Sequence, residues 1–437
     1  MSARLRRDDM ESAMAWLSLL LFLPWFILLG SLYWLFPRQP RTARRRLFDG
    51  ATLALALALS IVAMLWGHHI GLVQPGAGPI WPQVLAVLYA YGAFLARPAP
   101  SDQSRIDHAL PARLPWASVP DSARCASMTA DPSIHTIDTG FQRPDFDAAY
   151  LIIENGRAAF VDCGTGLSLP AMLQALTDNG LGVEAVDWLL LTHVHLDHAG
   201  GAGLLMQQLP NARAVLHPRG APHMIDPTRL IAGATAVYGA EEIARSYGRI
   251  EAIPEQRVVV AEDGQRIDLA GRELVLLHTP GHALHHYCVW DARSRSWFTG
   301  DTFGISYREL DSAQGAFIFP TSSPVQFDPD AMKASIQRML GYAPQAMYLT
   351  HYGRVEQVEK LAEDLFEQID AMTAIGRQCD GRPDRHRCLL AALQALYLER
   401  AQQHGCALDQ AAVTEVLAMD IELNAQGLAC WLDRASR

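Results

Sequence analysis

Several common features are missing from this chain of 437 residues, and each absence removes a class of function. No Cys-x-x-Cys occurs, and the seven cysteines are odd in number and scattered, at 125, 163, 288, 379, 388, 406 and 430. That usage argues against a disulfide framework and for a reduced compartment. No Gly-x-Ser-x-Gly turn is found, so a serine-nucleophile elbow is not expected. Internal repeats and low-complexity tracts are absent from the body of the chain. Basic charge is scarce where it would be needed to hold phosphate. The first 100 residues carry nine arginines against four acids, a net of +5, within a chain whose total is −10. The remainder is therefore strongly acidic, and nucleic acid is not the expected partner.

Charge is also missing from residues 12–37, a stretch long enough to span a bilayer of about 30 Å as a helix. A second uncharged stretch, 50–96, is interrupted by His68-His69 and by a Pro/Gly-rich turn at 74–79. Three spans are expected within 1–96, with Trp66, Trp81, Tyr89 and Tyr91 as interface anchors. Five arginines lie in 38–46 and none in 73–79. By the positive-inside rule the first loop faces the cytoplasm, so the chain after Arg97 is cytoplasmic as well. The expectation is a multi-pass protein of the cell inner membrane with its remaining domains inside the cell. Residues 97–130, with five prolines, read as a linker.

From 131 onward, short apolar runs and amphipathic stretches alternate. Strands are expected at 133–137, 149–154, 158–161, 188–191, 214–217, 274–278, 286–290, 296–299 and 346–349. Asn155-Gly156 should close a hairpin. Helices are expected at 169–177, 201–209, 240–247 and 329–340, and the chain from 356 to 437 reads as helical. Hairpins mixed with crossovers imply an α/β fold with mixed sheets.

The chemistry is concentrated in Thr192-His193-Val194-His195-Leu196-Asp197-His198-Ala199-Gly200-Gly201. Residues two apart in an extended segment point the same way, so His193 and His195 share a face. Imidazole and carboxylate suit zinc or iron, and strand carboxyl ends are where α/β folds place their sites. Three later strands also end in potential ligands: His278-Thr279-Pro280-Gly281-His282, Thr299-Gly300-Asp301 and Thr350-His351.

With these motifs, residues 131–355 resemble the metallo-β-lactamase superfamily, and its glyoxalase II-like hydrolases in particular. The resemblance implies an αββα sandwich, flanked here by the N-terminal transmembrane helices and a C-terminal helical extension. It implies that His193, His195 and His282 hold one metal ion, that Asp197, His198 and His351 hold a second, and that Asp301 bridges them. Asp162 would brace the ligands. Two zinc ions are the expected cofactor, with iron or manganese as alternatives. Cations about 3.5–4 Å apart would share a hydroxide nucleophile, which Asp197 could help to orient. The implied function is hydrolysis of a small ester, thioester or lactone. Alternatives on the same ligands are a mononuclear iron dioxygenase acting on persulfides and a phosphodiester hydrolase. Tyr307, Arg308 and His223 are candidate substrate contacts, while His285 and His286 are expected to pack around the ligands rather than join them.

Overall fold

The computed structural model describes residues 131–322 and 326–435. The expected membrane spans and the linker lie outside these residues. Among the described residues no helix is long and apolar enough to cross a membrane.

Two six-stranded mixed sheets form the centre of the described chain. The first contains β1 (Ile134–Asp138), β2 (Ala148–Glu154), β3 (Arg157–Val161), β4 (Val186–Leu190), β5 (Arg213–Leu216) and β6 (Val258–Val260), in that order. The second contains β7 (Arg266–Leu269), β8 (Arg272–His278), β9 (Tyr287–Asp291), β10 (Ser296–Phe298), β11 (Ala346–Leu349) and β12 (Gly353–Val355). In the first sheet β1, β2 and β3 form an antiparallel meander, and β3 to β6 run parallel. Asn155 and Gly156 both have positive φ, 47° and 75°, the backbone a two-residue hairpin turn requires.

Alternation along the strands builds three apolar layers. On β2, Tyr150 and Ile152 face the gap between the sheets, where they meet Leu274, Leu276, Tyr287 and Phe298 of the second sheet. Leu151 points the other way, as does Phe160 on β3. These side chains meet α1 (Leu169–Asp178), beyond which lie α2 (Leu196–Ala199) and α3 (Ala202–Gln208). Between β5 and β6 run α4 (Ala221–Ile225), α5 (Thr228–Tyr238) and α6 (Ala240–Tyr247). Asp226 and Pro227 join α4 to α5, which Thr228 and Arg229 open. Asp226 accepts from the N–H and hydroxyl of Thr228 at the start of that helix.

The outer face of the second sheet is covered by α7 (Pro329–Leu340) and α8 (Val358–Cys379), then by α9 (Arg385–Gln403), α10 (Gln410–Val416) and α11 (Ala418–Ala435). One apolar cluster runs from Val275 and Trp297 in the sheet through Leu365 in α8 to Leu428 in α11. The helical extension therefore shares a core with the sandwich. The last part of the helical region, from Gln410 to Ala435, is two helices that meet at Leu417. The cysteine reading needs one correction. Cys379 ends α8 and Cys388 lies in the first turn of α9, so the short connection brings them together as a disulfide with a Cα–Cα distance of 5.8 Å.

Candidate metal centre

The ligand candidates all stand just past the carboxyl ends of strands. Asp162 follows β3, His193 to His198 follow β4, and His282, Asp301 and His351 follow β8, β10 and β11. In the second sheet β8, β10 and β11 share one direction, because β9 is antiparallel to both β8 and β10 and β11 is parallel to β10. Their ends therefore meet the end of β4 along one edge of the sandwich.

Two groups of donor atoms result. His193, His195, His282 and Asp301 offer atoms within 4.8 Å of one another, as do Asp197, His198 and His351. Asp301 faces both. Its Oδ2 lies 3.3 Å from Nε2 of His282 and 4.0 Å from Nε2 of His193. Its Oδ1 lies 3.2 Å from Nε2 of His198 and 3.7 Å from Nε2 of His351. A carboxylate turned this way could join two cations.

The histidine tautomers follow from the outward-facing nitrogens. Nδ1 of His198 donates to Asp162 at 3.0 Å, and Nδ1 of His351 donates to the carbonyl of Phe146 at 2.9 Å. Nδ1 of His282 donates to the carbonyl of Thr321 at 3.3 Å. The Thr192 hydroxyl donates to Asp162 and accepts from Nδ1 of His193 at 3.2 Å. Nε2 of His193 then carries a lone pair aimed at Nδ1 of His195, 2.8 Å away, which in turn faces Nε2 of His282 at 3.2 Å. The two Nε2 lone pairs thus share Nδ1 of His195, which has at most one proton to offer them, and a cation among the three nitrogens would satisfy all of them. Nε2 of His198 and Oδ1 of Asp301 are buried without a well-formed hydrogen bond, a costly state that a metal ion would also relieve. The donor set fits metal ions.

Electrostatics separate the two groups. Burial, reinforced by neighbouring imidazoles, holds His193 well below the usual histidine range, so it stays neutral. Burial also disfavours charge on His198, but Asp301 and Asp197 outweigh it and raise that residue well above its ordinary value. His351 rises to about 9 against the effect of burial, chiefly through Asp301 and its bond to Asp197. The second group thus gathers positive charge around its carboxylates.

Asp162 has φ of +56°, and its carboxylate also accepts from the backbone N–H of Thr192 at 2.8 Å. His286 packs behind the centre: its Nε2 accepts the N–H of Asp301 at 3.2 Å, while Nδ1 faces the Thr279 hydroxyl at 2.9 Å. His285 lies beside the centre, its ring centroid 5.4 Å from that of His195. Burial, with His282 and His223 nearby, lowers His285 to about 4. His223 is half-buried in α4 and lies near enough to His285 to disfavour its charge.

Two expected substrate contacts are corrected. Tyr307 is fully buried and donates to Asp420 on α11 at 3.3 Å, so its phenol does not reach a substrate. Arg308 folds back onto the carbonyl and hydroxyl of Ser306 and pairs with Asp311 at 3.2 Å. Its guanidinium is occupied by its own loop.

Residues 143–351 match the family model described as the metallo-beta-lactamase superfamily. The metallo-beta-lactamase fold-containing protein ST1585 of Sulfurisphaera tokodaii is 27% identical over 218 residues, which cover 48% of this chain and 77% of that protein. A solved structure of ST1585 matches at 23% identity with a TM-score of 0.49, covering 68% of this chain and 98% of that chain. An atrochrysone carboxyl ACP thioesterase of Aspergillus chevalieri is 27% identical over 154 residues, 35% of this chain and 38% of the relative. A hydroxyacylglutathione hydrolase of Klebsiella pneumoniae is 28% identical over 162 residues, 36% of this chain and 49% of the relative. Through residues 143–351, the chain belongs to the metallo-β-lactamase superfamily.

Proposed function

We propose that the protein is a metal-dependent hydrolase acting on a small thioester, ester or lactone. The observation that carries this reading is Asp301, with one oxygen turned to His193 and His282 and the other to His198 and His351. His193, His195, His282 and Asp301 would hold one ion, and Asp197, His198, His351 and Asp301 a second, with zinc as the proposed metal. Bound there, the ions would act as Lewis acids toward a carbonyl and lower the pKa of water. The chain supplies the orientation. Asp162 and Thr192 fix His198 and His193, and His286 fixes Asp301 through its backbone N–H. Asp197 turns Oδ2 toward His198 and His351, and its side chain is 25% exposed where those two histidines are covered. That leaves Oδ1 to accept a hydrogen from an entering water. The names of two relatives, a thioesterase and a hydrolase of hydroxyacylglutathione, favour acyl-sulfur substrates over phosphodiesters.

The test is elemental analysis of the full-length chain followed by a panel of acyl thioesters, aryl esters and lactones. About two zinc ions per chain and metal-dependent turnover of one class are expected. One iron per chain with no hydrolysis would overturn the proposal. We further propose that residues 1–96 anchor the protein in the inner membrane, ahead of a linker at 97–130, with residues 131–355 as a cytoplasmic catalytic domain and 356–437 as its helical extension. The uncharged stretches and the five arginines at 38–46 support this reading, while the Cys379–Cys388 disulfide runs against a reducing compartment. A C-terminal tag protected from protease in sealed inverted vesicles would sink that orientation.

A further inference from the structure

Helix α11 carries two polar side chains in an otherwise apolar interface. Asn424 is wholly buried and Asp420 is 4% exposed. They are four residues apart, so they share one helix face, and that face turns toward the sandwich. Burying an amide and a carboxyl costs several kcal/mol unless their hydrogen-bonding groups are matched. Asn424 is well matched. Its Oδ1 accepts the N–H of Ser322 at 2.6 Å, and its Nδ2 donates to the carbonyl of Pro320 at 3.1 Å and to the hydroxyl of Tyr397 at 2.8 Å.

The grip on Ser322 has a geometric consequence. The N–H of Ser322 and the carbonyl of Thr321 belong to one peptide group, and in a trans peptide they point in opposite directions. Fixing the N–H on Asn424 therefore aims the Thr321 carbonyl away from α11, toward Nδ1 of His282 at 3.3 Å. A parallel connection starts at Asp420. The Tyr307 hydroxyl donates to it, the Tyr307 ring stacks on Phe146 at 5.2 Å, and the Phe146 carbonyl accepts from Nδ1 of His351 at 2.9 Å. One helix thus reaches a histidine in each donor group.

We propose that α11 is a positioning element of the metal centre, with Asn424 orienting His282 through the Thr321–Ser322 peptide and Asp420 bracing the carbonyl that holds His351. This rests on the reading of those histidines as metal ligands. Removing a partner that orients a ligating histidine typically costs about 10–100-fold in metal affinity.

The experiment measures zinc affinity of the full-length chain by chelator competition, and the visible absorption of the Co2+-substituted protein. Asn424→Ala is expected to weaken zinc binding by about 10–100-fold and to alter the Co2+ spectrum. Asn424→Asp, which as a buried neutral acid keeps the acceptor for Ser322 and can donate to the Pro320 carbonyl, should restore most of that affinity. Tyr397→Phe removes a different partner of Asn424 and should leave both readouts near wild type. A folded Asn424→Ala protein with unchanged affinity and spectrum overturns the proposal, as does an equal loss in Tyr397→Phe. If Asn424→Ala does not fold, the wild type carries the test through linkage. Zinc must then slow hydrogen exchange at the Ser322 amide, and unchanged exchange overturns the idea. Failure of the wild type to bind metal would overturn the metal-centre reading as well, which separates the two failures.

Discussion

At Asp301 one carboxylate faces both donor groups, so no neighbouring side chain can replace it. Asp301→Asn would leave one acceptor oxygen and place an amide nitrogen against an imidazole. We expect it to lose at least one ion per chain, and intact stoichiometry by elemental analysis would refute the bridging role. The residue before it is equally constrained. Gly300 has φ of +47°, and a Cβ there would lie 2.6 Å from Nε2 of His286 and 2.7 Å from the Thr192 hydroxyl. Gly300→Ala should therefore cost about 1–3 kcal/mol from backbone strain alone, with further loss from the clash, read as a lower denaturation midpoint. The donor residues could be read from sequence because imidazole and carboxylate at strand ends are chemically distinctive. Their braces could not. The acceptors for His282 and His351 are backbone carbonyls, which leave no residue signature, and Asn424 lies more than a hundred positions from the peptide it holds. Tyr307 was misread because sequence gives the chemistry of a loop residue but not the helix that covers it.

The β8–β9 hairpin joins two kinds of chemistry at its opposite ends. His282 and His286 lie where β8 passes into β9, whereas Arg272 begins β8 and pairs with Asp291 at the end of β9. The Arg272 guanidinium also reaches Ser133 and Asp131 next to β1, tying the hairpin to the first sheet. Arg272 and Asp291 are both buried. Arg272→Ala would strand a buried carboxylate, at a cost of about 3–5 kcal/mol. Urea unfolding should register that loss while metal per folded molecule stays unchanged, because the centre lies at the other end of the hairpin. A parallel loss of metal would mean that the two ends are coupled. Strands with long apolar runs were evident in the sequence. The strands β7 and β12 were not, since charged residues or glycine fill half or more of their few positions, and β6 is three valines with no flanking alternation.

Considered as a whole, the described chain buries acids that water would normally keep charged. Burial raises Asp420 to about 7 from 3.8, although His351, Tyr307 and Arg143 pull the other way. Burial lifts Asp147 to about 7 as well. A carboxyl whose folded pKa is raised adds stability below its unfolded value and loses that contribution as pH climbs through the folded one. The shift at Asp420 corresponds to an effect of order 4 kcal/mol between pH about 4 and 7. Asp420→Asn should therefore flatten the decline in stability across that window, and denaturant midpoints at pH 5 and pH 8 would reveal it. An unchanged slope would mean that Asp420 is ionised throughout. Reduction of the Cys379–Cys388 bond should lower the melting temperature, since closing a short loop stabilises by about 2–4 kcal/mol. The donor atoms come from loops at the ends of both sheets, so each group is completed only when the two sheets are docked. An ion bound there would add to the apolar layer in holding the sheets together, so in a cell short of that ion newly made chains would be more open to the protease.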